Sequence, residues 1–113
     1  DVNTKNNCTT TPLHEASLNG HMNVAEALIA KGADVNTRNK NENTPLHHAI
    51  YNGHADVAKV LIAKGADINT KNNDRSTPLH TASKNGHTNV AEALIANGAD
   101  VNTKNNDGRR QYQ

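Results

Sequence analysis

Short apolar stretches at helical spacing alternate with polar stretches along this chain of 113 residues. The clearest one lies over residues 23–30, where the apolar positions are Val24, Ala25, Leu28 and Ile29. Their spacing of i, i+1, i+4 and i+5 places them on one side of a helix with 3.6 residues per turn. The pattern therefore predicts a short helix here, and it returns twice further along the chain.

The residues before this helix predict another one. Thr11 is a good helix cap, and Pro12 suits the first helical position because a proline there loses no helical hydrogen bond. Gly20 and Gly32 then end the first and second helices, since glycine readily adopts the left-handed conformation that terminates a helix. Each unit of the pattern is thus predicted to be two helices followed by a polar loop.

Three sequence markers return with a fixed period of 33 residues. Thr-Pro-Leu-His begins at positions 11, 44 and 77, Asn-Gly-His at 19, 52 and 85, and Gly-Ala-Asp at 32, 65 and 98. Because such short helices are marginal alone, the units must stack to bury their apolar faces. We expect one all-α repeat solenoid over 1–113, divided into a partial repeat 1–10, full repeats 11–43, 44–76 and 77–109, and a tail 110–113.

The motifs TPLHxA, NGH and VAEALIAxGADVN at this period resemble the ankyrin repeat family across residues 1–109. The resemblance implies that each repeat is a helix-turn-helix followed by a β-hairpin-like loop. It also implies that the hairpin tips and first helices line a concave surface that binds other proteins. Catalytic machinery and cofactors are not features of such repeats, so we expect neither.

The hairpin loops depart from the family pattern at one position. The family usually has glycine two residues before the threonine of TPLH, whereas Thr9, Glu42 and Arg75 stand there in this chain. Asn41 and Asp74 come just before two of these residues and tolerate left-handed backbone. We therefore expect Asn41 and Asp74 to adopt the left-handed conformation in place of the missing glycines.

Composition and charge argue against several other classes of protein. A net charge of +1 and an aromatic content of 2% disfavour a nucleic-acid binder. The chain has no run of about 18 apolar residues, which disfavours a membrane span. Cys8 is the single cysteine, so no internal disulfide framework exists, which is compatible with the cytoplasm. We expect an intracellular protein that binds neither nucleic acid nor membrane.

The seven histidines raise the question of a metal or catalytic site. Six of them recur at two repeat positions, His14, His47 and His80 at one, and His21, His54 and His87 at the other. The resemblance implies that the first three bond the threonine at the start of their helix, and that the other three bond backbone near the adjoining loop. Only His48 lies outside these positions, and zinc needs three or four converging ligands, so we expect no metal site.

Residues that vary between the repeats are the candidates for binding a partner. By the resemblance they lie on the concave surface: Glu15, Leu18, Arg38, Lys40, His48, Tyr51, Asn52, Lys71, Asn73, Thr81, Lys84 and Lys104. Tyr51 is the best single anchor because aromatic side chains are enriched at binding hot spots, although it could equally just cover its helix. The row of hairpin-tip cations favours an acidic partner or merely keeps the surface solvated: Lys5, Arg38, Lys71 and Lys104.

Asn36, Asn69 and Asn102 are candidates for a covalent modification. Each follows a leucine and an aspartate in a pattern that resembles substrates of the asparaginyl β-hydroxylase that modifies ankyrin hairpins. Hydroxylation would add one oxygen atom to each modified residue. The simpler interpretation is that these side chains bridge backbone groups of the hairpins.

Two functions remain open from the sequence. The leading hypothesis is a non-catalytic protein–protein interaction module, and the alternative is an engineered or excised repeat scaffold without a dedicated partner. Neither end of the chain carries a polar capping repeat. We therefore expect Val90, Leu94 and Ile95 to be exposed at the C-terminal end and to permit end-to-end self-association.

Overall fold

The structure is a computed structural model and is described for residues 1–102. Within that range it contains six helices and no strands. The helices are α1 (Pro12–Leu18), α2 (Met22–Ala30), α3 (Pro45–Tyr51), α4 (Ala55–Ala63), α5 (Pro78–Asn85) and α6 (Thr88–Ala96). The predicted pairs of short helices are confirmed, and polar hairpin-like loops connect each pair to the next.

The first helix of each pair begins in the same way. Thr11 is extended, its hydroxyl accepts a hydrogen bond from the His14 backbone N–H at 3.3 Å, and its own N–H donates to His14 Nδ1 at 3.1 Å. Thr44 and Thr77 repeat this reciprocal cap. Because such a cap contributes about 1 kcal/mol, it helps define helices that are too short to be stable in isolation.

The helices stack in two layers. α1, α3 and α5 pack side by side in one layer, and α2, α4 and α6 pack in the other. Leu13, Leu46 and Leu79 are completely or almost completely buried and line the first layer. Burial of a leucine stabilises the folded state by about 1.5–3 kcal/mol, so this ladder is a main source of cohesion. The arrangement confirms the all-α repeat solenoid.

Gly20 and Gly53 have a role that the sequence did not reveal. Both have a φ of +73°, as expected for the end of a helix. In addition, a Cβ atom at Gly20 would lie 2.6 Å from the His54 ring, and one at Gly53 would lie 2.7 Å from the His87 ring. The glycine therefore ends its helix and also makes room for the histidine of the next repeat.

The expectation that Val90 and Leu94 are exposed at the C-terminal end is wrong. Their side chains are 2% and 0% exposed, and only Ile95, at 37%, follows the expectation. The exposed valine is instead Val24 in α2, at 52%, whereas the equivalent Val57 in α4 is fully buried. Val57 and Val90 are buried because their helices, α4 and α6, pack on the second helix of the preceding repeat, whereas α2 has no such helix before it. This position therefore faces the preceding repeat and not the following one.

The left-handed residues of the hairpins are not the ones expected. Thr9, Glu42 and Arg75 themselves have a φ of 61°, whereas Asn41 and Asp74 do not have positive φ. The cause is a side-chain bond: Oδ1 of Asn39 accepts from the backbone N–H groups of residues 41 and 43, at 2.9 and 3.0 Å. Glu42 lies between the two donor residues, so the backbone must turn at Glu42 to direct both N–H groups to one oxygen, and its φ is positive there.

We predict that Gly53→Ala destabilises the protein more than Gly86→Ala. Both substitutions place alanine at a φ of +73°, but within the described residues nothing lies within 4 Å of a Cβ at Gly86. The contact with His87 should add about 1–3 kcal/mol to the loss at Gly53. Urea unfolding of the two variants would measure the difference, and equal losses would contradict the packing role.

We also predict that Arg75→Gly stabilises the protein. Glycine avoids the steric cost of left-handed backbone, which offsets its larger freedom in the unfolded chain, for a net gain of up to about 1 kcal/mol. Asp74→Gly is the matched control, because it adds the same freedom at a residue without positive φ and should be destabilising. The two free energies of unfolding should therefore change in opposite directions.

Candidate partner-binding surface

The hairpins and the first helices are joined by direct contacts and form one surface. We call it the hairpin–helix surface and define it by residues 5–9, 38–42 and 71–75 together with α1, α3 and α5. Ring nitrogen Nε2 of His14 donates to the Asn43 carbonyl at 2.8 Å, and Nε2 of His47 contacts the Ser76 carbonyl at 3.1 Å. The first helices α1 and α3 thus each hold the hairpin that follows them.

Tyr51 is the most exposed large apolar side chain of the described residues, at 62%. It ends α3 in the middle of the array, and the equivalent residues of the neighbouring repeats are the half-buried Leu18 and the exposed Lys84. The backbone of Tyr51 is fixed, because its carbonyl accepts from Asn85 Nδ2 at 3.1 Å and contacts His87 Nε2 at 3.3 Å. An exposed ring on a fixed backbone is suited to binding.

Asn52 is used within the array. Its side-chain amide donates to the Leu18 carbonyl at 2.8 Å, and His54 Nε2 contacts the same oxygen at 3.1 Å. The carbonyl at the end of one first helix is thus bonded by the next repeat. This geometry confirms that His54 and His87 bond backbone, with the end of the preceding first helix as their target.

The row of hairpin-tip cations is also partly used within the array. Lys5 Nζ donates to the Arg38 carbonyl at 3.2 Å, and Arg38 donates to the Lys71 carbonyl at 2.9 Å and to the Thr70 hydroxyl. Arg38 also lies 3.9 Å from the Glu42 carboxylate. Lys40 and Lys71 are exposed, and Lys104 lies outside the described residues. The row therefore joins neighbouring hairpins as well as presenting charge.

Of the remaining predicted residues, some bond a neighbouring repeat and others lie on the first helices without joining two hairpins. Asn73 donates from its side chain to the Lys40 carbonyl at 3.2 Å, so it joins the second and third hairpins. Glu15 is exposed, Thr81 is half-buried, and both lie on the first helices. His48 is half-buried against His14, with 5.0 Å between the ring centroids. The structure brings Glu15, His48 and Thr81 to equivalent places in successive helices.

Burial keeps His14 and His47 neutral. The pKa of His14 is lowered to about 4, first by burial and then by the nearby His48 and Lys5, although the bond to the Asn43 carbonyl opposes this. The pKa of His47 is also lowered to about 4, mainly by burial. Among residues 1–102, no group of three or more His, Cys, Asp or Glu side chains is placed to hold a metal ion.

Two of the three candidate asparagines, Asn36 and Asn69, join consecutive repeats. Oδ1 of Asn36 accepts from the Asp67 N–H at 2.8 Å while its amide donates to the Gly65 carbonyl at 3.2 Å. Asn69 accepts in the same way from the Asp100 N–H at 2.9 Å, and Asn102 occupies the equivalent place in the following repeat. All three side chains are exposed. The bridging role is confirmed for Asn36 and Asn69, and their hydroxylation stays a prediction.

Charge is distributed unequally between the hairpin–helix surface and the rest of residues 1–102, a feature that single motifs did not show. Within residues 1–102 the hairpins and first helices carry six cations against three anions: Lys5, Arg38, Lys40, Lys71, Arg75 and Lys84 against Glu15, Glu42 and Asp74. Over the same range the other segments, mainly the second helices and the connections after them, carry three cations against seven anions: Lys31, Lys59 and Lys64 against Asp1, Glu26, Asp34, Asp56, Asp67, Glu92 and Asp100. A nearly neutral protein therefore has a net positive hairpin–helix surface.

One open cleft of about 200 Å³ lies between α5 and α6. Gly86 and His87 are among the residues that line it. In the two earlier repeats the glycine equivalent to Gly86 is covered by a histidine ring of the next repeat. The cleft thus has the shape of a repeat–repeat contact and is not evidence of a small-molecule site.

None of the helices within residues 1–102 has the length and apolar character that crossing a membrane requires. In a scan against family models, the model described as ankyrin repeats matches three copies, over residues 1–72 and 37–105. Comparison with curated proteins gave no match.

We predict that the protein loses stability as the pH falls below 6.5. The pKa values of His14 and His47 are about 4 in the folded protein and near 6.5 in the unfolded chain, so the unfolded chain binds protons first. Their contribution is complete above pH 6.5 and declines towards pH 4, by about 1.4 kcal/mol per pH unit for each histidine at the steepest point. Urea unfolding at pH 7.0 and 5.5 should differ by about 2 kcal/mol.

His47→Gln is the control for this pH dependence. It removes one of the two histidines whose pKa is lowered to about 4, so their part of the difference between the two pH values should fall by roughly half, whatever the stability at pH 7.0. An unchanged difference would show that other groups cause the dependence.

Proposed function

This chain belongs to the ankyrin repeat family, whose members are generally non-catalytic modules that bind other proteins, and we propose that its own partner binds the hairpin–helix surface. The partner we propose is a protein with an acidic segment and an apolar side chain. Tyr51 would contact the apolar group, and the cations around it would contact the carboxylates. The surface would be the concave side of the array.

The single observation that carries this proposal is the exposure of Tyr51. A tyrosine that is 62% exposed on a bonded backbone leaves most of its ring uncovered and offers a large and rigid contact area for a partner. Leu18 adds apolar surface at the equivalent position of the preceding repeat. The two side chains form the centre of the proposed contact.

The charge distribution supports an acidic partner. Lys40, Lys71 and Lys84 are exposed on a surface with twice as many cations as anions, and no hydrogen bond within residues 1–102 uses their side-chain amines. Complementary charge mainly raises the association rate and the specificity of binding. Glu15 is the only acidic residue of the three first helices, so we propose that the acidic end of the partner lies towards Lys84.

Peptide selection tests this function without knowledge of the partner. A displayed library of random peptides would be selected on the protein at low salt, and the selected peptides should contain several carboxylates and an apolar residue. Tyr51→Ala should weaken their binding by tenfold or more, as expected for an aromatic hot spot. Lys84→Glu should weaken binding several-fold, and this loss should shrink as salt is added.

Two exposed residues outside the surface provide matched controls. Val24→Ala removes apolar surface from α2, and Lys59→Glu reverses a charge on α4, so neither should change binding. If selection yields no peptide, or yields peptides that bind all four variants equally, the proposal is wrong. That outcome would favour the alternative of a repeat scaffold without a dedicated partner.

A further inference from the structure

His48 is the one imidazole that stands at this position of a first helix, where the other repeats have Glu15 and Thr81. Its Nδ1 lies 3.4 Å from the His14 carbonyl oxygen. On the other side, its Nε2 lies 3.4 Å from the side-chain nitrogen of Asn39, at the start of the second hairpin. The ring therefore contacts the preceding first helix and the hairpin that directly precedes its own helix, and both belong to repeat 11–43.

The bonds of Asn39 determine the protonation state of this ring. Oδ1 of Asn39 already accepts two backbone N–H groups, from Asn41 and Asn43, so its NH₂ group must be the part that faces His48. Since NH₂ is a donor, His48 Nε2 must accept, and the proton of the neutral ring lies on Nδ1, where it donates to the His14 carbonyl. The whole arrangement requires neutral His48.

Other bonds hold the opposite end of this hairpin. The Asn43 carbonyl is bonded by His14 Nε2 at 2.8 Å, and Asn43 Oδ1 accepts from Asn72 Nδ2 at 2.9 Å. Neither bond involves His48. At the start of the hairpin the bond of the Asn39 NH₂ group thus depends on the imidazole of His48, whereas the bonds at its end do not.

We infer that His48 is a pH-sensitive contact that controls the order of residues 39–43, which include most of the second hairpin and the residue after it. Protonation of Nε2 replaces an acceptor with a donor, so the bond to the Asn39 NH₂ group breaks. Asn39 cannot restore it by turning its amide, because Oδ1 is committed to the two backbone groups. The hairpin then loosens at its start and stays attached at Asn43, and the loosened segment includes Lys40 of the proposed partner surface.

The groups around His48 shift its pKa in opposite directions. Burial lowers the pKa below the ordinary 6.5, while the bond to the His14 carbonyl and the negative charge of Glu15 oppose that shift. Glu15 is also the nearby anion to which a protonated ring can turn. The other titratable or charged groups on the elements around it are His14 on α1, His47 on α3, His80 and Lys84 on α5, and Arg38, Lys40 and Glu42 on the hairpin.

The third hairpin provides an internal control. Asn72 accepts from the backbone N–H groups of Asp74 and Ser76, at 2.9 and 3.1 Å, in the same way as Asn39 does in the second hairpin. His47 contacts the Ser76 carbonyl as His14 contacts that of Asn43. At the position of His48 the third repeat has Thr81, and the amide of Asn72 donates instead to Asn43 Oδ1 at 2.9 Å, so no imidazole holds the start of the third hairpin.

NMR of the ¹⁵N-labelled chain between pH 7.5 and 5.0 tests the inference. The side-chain amide of Asn39 and the backbone amides of Asn41 and Asn43 should shift with the midpoint at which the His48 ring itself titrates. Hydrogen-exchange protection of those two backbone amides should fall by roughly threefold to tenfold, the range that one hydrogen bond supplies. The amides of Asp74 and Ser76 should not change over this interval.

His48→Thr, which copies the third repeat, should abolish the transition in the second hairpin, and His48→Gln should do the same with a side chain of similar length. The inference is overturned if the amides of the second hairpin do not follow the His48 titration. The inference is equally overturned if the amides of the second hairpin shift with pH in His48→Thr and His48→Gln as they do in the unchanged protein. The biological role of this pH-sensitive contact rests on the proposed function. The NMR experiment needs no partner, so the inference about His48 and the proposed partner binding can fail independently of each other.

Discussion

A neutral histidine in the first turn of α1 and of α3 is the interaction on which the fold depends. In His14 and His47 one ring nitrogen accepts the backbone N–H of the capping threonine, while the other contacts a carbonyl of the following hairpin. One side chain thus caps its own helix and binds the next loop. Because the ring must accept with one nitrogen and donate with the other, it must stay uncharged, and burial provides this by lowering the pKa.

This use of polar groups explains how a chain with a mean hydropathy of −0.83 can fold. Asn36, Asn52 and Asn73 each bond backbone of an adjacent repeat, and Arg38 does the same from a hairpin tip. Such bonds satisfy backbone groups that have no partner within their own helix or loop. The side chains left over, above all Tyr51 and the exposed Lys40, Lys71 and Lys84, are then distinguished by having no such use within the described residues.

Local features were predictable from the sequence, and features of the stacked array were not. The caps at Thr11, Thr44 and Thr77 depend on a few adjacent residues, so the motif was sufficient to predict them. The left-handed residue was misplaced by one position, because the two bonds accepted by Asn39 are not visible in the residue types. Val24 was missed as the exposed valine because the direction in which a helix faces is decided by its neighbours.

The candidate surface was predicted with similar limits. Tyr51 stood out as an aromatic residue in an array nearly without them, and its exposure agrees with that choice. Arg38 and Asn52 looked equally free in the sequence, since their acceptors lie 32 to 34 residues away and become neighbours only after stacking.

The bonds between repeats span 29 to 36 residues, close to the 33-residue period. Duplication of one whole unit therefore copies every donor together with its acceptor, so the array can gain length in evolution without a new interface, while loss of a single residue within a unit would put two interfaces out of register.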